Sequence, residues 1–242
     1  MGCELKRMTA GRGFLASFFL GLSAILSGTA WPSGEGSLAA GNFLTLAKGS
    51  FCCRAVVFLL PLVSVLPWSD SFLAESKGGF LKACLPRQDR RSYTENKILA
   101  VALGGFLPWA TAGLLTLFLY FLLFFPLEQK GAIPFAMVWE PVAVLLRLGI
   151  LGAVLASLGG IAAVLFRSAY LAFGLPFAGY YFCLILQERY FPEALWLYPP
   201  QWVAGTADWG PGKEGLWLFL LLFLAVTVSL HGGILFGRVE EV

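Results

Sequence analysis

SDSFLAESKGGFLKACLPRQDRRSYTENK, residues 69–97, is the longest polar passage in a chain that is otherwise mostly apolar, and its reading decides the fold. Six cations lie in it: Lys77, Lys82, Arg87, Arg90, Arg91 and Lys97. Apolar runs flank it on both sides, and basic loops beside membrane spans stay on the cytoplasmic face. The passage therefore predicts a polytopic α-helical membrane protein and fixes its orientation. Within it, Phe72, Leu73, Phe80, Leu81, Cys84 and Leu85 recur near helical spacing, with Glu75, Lys77 and Lys82 mostly elsewhere. That pattern predicts a short amphipathic helix along the membrane face, broken or bent at Gly78 and Gly79.

Composition agrees. The 242 residues are 58% hydrophobic and only 13% charged, and the mean hydropathy is +0.78. Such a chain exceeds what a soluble core needs. The net charge of +3 does not point to nucleic acid, because the cations gather at span ends, where anionic lipid and the topology rule account for them. The five cysteines (Cys3, Cys52, Cys53, Cys84, Cys183) form no C-x-x-C pair and read as small packing residues.

Outward from the loop, six spans are expected, at residues 13–31, 52–68, 98–125, 142–166, 169–187 and 216–236, in a single transmembrane domain over 1–242 with both termini cytoplasmic. The first follows Lys6, Arg7 and Arg12 and resembles a signal peptide, but its length suits a span. Residues 32–50, rich in Gly and Ser, are expected to be an external loop of little structure. Pro61 and Pro67 are expected to kink span two, and Pro141 to stand first in a helix. A tight turn at Arg167-Ser168 divides spans four and five. Residues 188–215 hold Tyr190, Phe191, Trp196, Tyr198, Trp202 and Trp209 among prolines and glycines, which suits re-entrant or interfacial helices. With this topology eleven cations fall inside and six outside.

Motifs for bond chemistry are missing from the sequence. It has one histidine, His231, no H-E-x-x-H, no G-x-S-x-G and no phosphate-binding G-x-x-x-x-G-K-[ST]. His231 beside Gly232 and Gly233 reads as a helix–helix contact rather than a proton relay. Arg147 falls one to two turns inside span four; snorkelling to the interface is preferred over an internal charge on a substrate path. Spans one, two, three, five and six carry no charge near their centres, which disfavours an ion-driven carrier and favours energy from a separate ATP-hydrolysing subunit.

A series of short motifs then carries a resemblance: E-L-K-R at Glu4–Arg7, L-P-x-S-x-S-F at Leu66–Phe72, Glu75, Gly78 and Gly79, L-P-R at Leu85–Arg87, and Tyr93 and Lys97 opening span three. The order is similar to that in permease subunits of bacterial ATP-binding-cassette exporters of the type-2 permease superfamily, and it covers the whole six-span plan. The resemblance implies a coupling loop after span two whose helix docks on a separate cassette ATPase. It also implies a pair of permeases, from a second copy or a paralogue, enclosing the translocation path, and residence in the bacterial cytoplasmic (inner) membrane. ATP and Mg are then held by the partner, with no cofactor on this chain. The coupling positions it implies are Glu75, Gly78, Gly79, Arg87, Tyr93 and Lys97. The alternatives are a substrate-binding membrane component of an ATP-driven uptake system, and a non-transport intramembrane enzyme or assembly protein.

Overall fold

The computed structural model describes residues 2–31, 38–81, 89–210 and 214–240. Ten α-helices are found among them: α1 Gly2–Thr9, α2 Arg12–Ser27, α3 Asn42–Phe51, α4 Arg54–Val65, α5 Ser71–Lys77, α6 Arg90–Phe124, α7 Phe135–Phe166, α8 Ala169–Arg189, α9 Pro199–Ala204 and α10 Gly215–Glu240. No strand is present among the described residues, so the all-helical expectation holds. Four helices, α6, α7, α8 and α10, are long and apolar enough to cross a membrane, and α3 with α4 makes a fifth if that bent pair is one span. The chain is a membrane protein by this measure.

Several expected boundaries move. The stretch 32–50 is not an unstructured loop throughout, because Asn42–Phe51 is helical. Its first turn is held by a distant carboxylate: Glu128 accepts from the Gly41 N–H at 2.8 Å and from the Phe43 N–H at 2.6 Å. That satisfies donors a helix start leaves free. The expected span 52–68 is the second arm of a helix pair bent by 58° at Cys52–Cys53. The expected first span shortens to the 16 residues of α2, about 24 Å at 1.5 Å per residue. Residues 90–97, expected in the loop, are instead the first two turns of α6, started by the Asp89 carboxylate accepting from the Ser92 N–H. Pro141 stands inside α7 and not at its start, because the helix already begins after Pro134. The turn at Arg167 and Ser168 falls where expected, with Arg167 left-handed at φ 51°.

α7 is the centre of the bundle and is largely buried along its apolar length, whereas α6, α8 and α10 expose much of theirs. Its small residues permit this. At Gly105 and Gly152 the backbones of α6 and α7 approach so closely that a Cβ on either would overlap the other's carbonyl, the close packing that small residues allow between membrane helices. Beside the crossing, Trp109 is fully buried and donates to the Ser64 hydroxyl at 3.1 Å. Ile25, Phe51, Leu60, Val144, Leu148 and Leu220 complete the main core. His231 of α10 packs on Gly160 of α7, the helix–helix contact its glycine neighbourhood predicts. A second cluster, with Phe72, Tyr93, Ile98, Val164, Leu235 and Val239, gathers the start of α6, the end of α7 and the end of α10 at one end of the bundle.

Candidate functional site

The polar passage folds back against that end. Gly78 caps α5 and Gly79 takes φ 70°, the left-handed conformation that glycine adopts without penalty, so the break expected at this pair is present. Phe72 and Leu73 are buried as the amphipathic pattern predicts. Glu75 is not on the polar side: only 5% of it is exposed.

What buries Glu75 is a set of four charges from three helices. Lys97 of α6, 1% exposed, donates from Nζ to Glu75 at 2.8 Å and to Glu4 of α1 at 3.2 Å. Arg7 bridges the same two carboxylates, at 3.0 Å to Glu75 and 3.1 Å to Glu4. Tyr93 donates its hydroxyl to Glu75 at 2.7 Å, and the Trp68 indole N–H donates to Glu4 at 3.3 Å. The Trp68 ring also lies under both cations, 5.8 Å from the Arg7 guanidinium and 5.5 Å from the Lys97 ammonium.

Two positive and two negative side chains balance, so their mutual attraction offsets the cost of desolvating each buried charge. Such a network adds little stability over an apolar replacement, but removing Glu75 or Lys97, the two buried members, strands the other, at a cost of about 3–5 kcal/mol. Its effect is geometric: α1, α5 and the first turns of α6 are held as one body. Burial pushes the Glu75 carboxyl up, but the Lys97 charge and hydrogen bond, the Tyr93 hydroxyl and Arg7 together hold it below the ordinary carboxylate range. Beside the network lies a groove of about 440 Å³, lined by Arg12, Asp70, Ala74 and Phe80 among others.

Of the six positions singled out from the sequence, Glu75, Tyr93 and Lys97 meet in this network, and Gly78 and Gly79 form the turn beside it. Arg87 lies outside the described residues, as do Lys82, Cys84 and Leu85 of the amphipathic pattern. Glu4, Arg7 and Trp68 complete the site. Their positions stood in the short motifs near the chain start and at the end of span two, but nothing local indicated that they would meet Glu75 and Lys97. No protein-family model matches this sequence, and no curated protein matches it.

Proposed function

We propose that this chain is the membrane-spanning permease subunit of an ATP-binding-cassette exporter, working as a pair with a second permease and driven by a separate cassette ATPase at the Glu75 end, on the cytoplasmic side of a bacterial inner membrane. One observation carries the reading. The motifs of the resemblance, scattered over the first hundred residues, converge on a single, partly buried network through Glu4, Arg7, Trp68, Glu75, Tyr93 and Lys97.

A coupling device needs a surface element that cannot move without moving the spans. α5 has that property, being only seven residues long, tied to α6 by Glu75–Lys97 and to α1 by Glu75–Arg7. Closure of the ATPase would press α5 as a lever, and the network would pass the displacement into α6 and, through α1, into α2. The chain then contributes a path and a two-state packing, not bond chemistry.

The test is to copurify the tagged chain with its ATPase and compare Glu75→Gln with the wild type in the assembled complex, reconstituted in lipid. The expected result is an ATPase that still binds and hydrolyses but no longer moves substrate, with transport per ATP lowered at least about tenfold. A chain that recruits no ATPase, or a variant whose transport per ATP is unchanged, rejects the role.

A further inference from the structure

A cavity of about 920 Å³ lies at the other end of the bundle, between α3, the first half of α7, the turn after α9 and the start of α10. Arg147 lines it. The residue is 8% exposed, its side chain held within the protein rather than on its surface. Its Nε donates to the Ala143 carbonyl at 3.2 Å, and its guanidinium lies 5.9 Å from the Trp217 ring.

The fold makes room for this charge. Gly205 ends α9 in the left-handed conformation, φ 60°, and a Cβ there would overlap the guanidinium. Yet no carboxylate of the described residues stands within ion-pair distance of it. The other charges of the cavity belong to its rim: Lys48 pairs with Glu140 at 2.9 Å, and the carboxylate of Asp208 accepts from the Gly210 N–H at 3.2 Å. Behind the lining, the buried indole N–H of Trp209 also has no partner. Packing alone explains neither, since a buried cation without a counter-ion and an orphaned donor both weaken the folded state. Ionisable side chains retained within spans mark binding and transport paths.

We propose that this cavity binds an amphiphile with a singly charged oxyanion head, a carboxylate or a phosphodiester. The head sits on the Arg147 fork, where two parallel N–H donors match its oxygens. The tail runs between Trp139 and Trp217. Asp208 at the rim disfavours a second negative charge. The volume falls in the range of small-molecule sites. The inference is independent of the transport reading, because binding is read on this chain without any ATPase.

The experiment titrates the full chain, purified in a neutral maltoside detergent, with decanoate, decanol and acetate, following the thermal unfolding midpoint. Decanoate is expected to raise the midpoint of the wild type, with half-saturation at least about tenfold lower than in Arg147→Gln. Without probe, Arg147→Gln unfolds no earlier than the wild type, since it removes an unpaired charge. Arg147→Lys, which keeps the charge and loses the fork, lies between them. Decanol shifts both chains alike, and acetate shifts neither. Equal responses of wild type and Arg147→Gln to decanoate overturn the proposal. So does acetate acting as well as decanoate, which leaves a small-anion site with no place for a tail. If Arg147→Gln does not fold, the wild type decides alone: decanoate no better than decanol ends the idea.

Discussion

Glu75 shows how a residue's surroundings reverse what its type suggests. In a surface helix a glutamate faces water, and the pattern of residues 72–85 assigns it there. Lys97, 22 positions on, draws it inward. The consequence is a pH dependence with a definite sign. The folded carboxyl titrates below its ordinary value of 4.5, so its contribution to stability is complete above about pH 5 and is lost as pH falls through the depressed folded value. The wild type should therefore exceed Glu75→Gln in unfolding midpoint from about pH 5 to 8 by a constant margin, and that margin should shrink towards about pH 3. Thermal unfolding in detergent across this range checks it; a margin that grows on acidification would reverse the assignment. Which residues form the network was only half legible in advance. Glu75, Tyr93 and Lys97 lie within one passage, but Arg7 stands 68 positions from Glu75 and Glu4 stands 93 from Lys97. Separation of that size is bridged only by the tertiary fold.

Among the elements, α4 carries the same lesson for the backbone. Pro61 has no N–H, so the Val57 carbonyl one turn earlier loses its helical donor. The Tyr180 hydroxyl of α8 takes that place at 3.1 Å, and Tyr181 donates to the next carbonyl, Phe58, at 2.8 Å. A proline defect in one helix thus becomes the docking point of another. Tyr180→Phe should cost about 0.5–1.5 kcal/mol in the wild type, the range for a net hydrogen bond. In a Pro61→Ala background it should cost much less, because the substituted residue brings back the backbone N–H that Val57 lacks. A double-mutant cycle on unfolding midpoints tests this, and additive effects would show that the tyrosine does not act through the freed carbonyl. The missing donor at Pro61 was readable from the sequence; its partner was not, since an aromatic in an apolar run reads equally as packing. The helix Asn42–Phe51 escaped for a related reason. Its glycine-rich approach reads as loop, and the carboxylate that starts it, Glu128, arrives from beyond α6.

For the molecule as a whole, the two charged features stand at opposite ends of α7. From Arg147 to Val164, beside the Glu75 network, is 17 residues, or about 26 Å at 1.5 Å per residue, close to the ~30 Å of a bilayer's hydrocarbon core. Between these ends the outer helices present Leu99, Leu175, Leu222, Val226 and Leu230 outward. In water such a belt would drive aggregation, whereas in lipid it is the proper surface. The apolar segments were legible because hydrocarbon demands length and low charge; the bend at Cys52–Cys53 and the short α2 were not, because they depend on packing between helices, the bent pair on α6 and α7 and α2 on α4 and α6. α1 and the last turn of α10 both lie at the Glu75 end. Since that end also carries most of the cations, it should face the cytoplasm. Arg91 near it and Lys130 beyond the far end of α6 are both exposed, and each can become the single cysteine of a chain whose natural cysteines are replaced. The Arg91–Glu95 pair lost in one variant is solvent-exposed and contributes little. In intact cells a membrane-impermeant maleimide should label Lys130→Cys at once and Arg91→Cys only after the membrane is opened. Labelling of both from one side would place the apolar belt outside the bilayer, and the reverse pattern would put the network, with any lever it forms, on the side where no ATP is found.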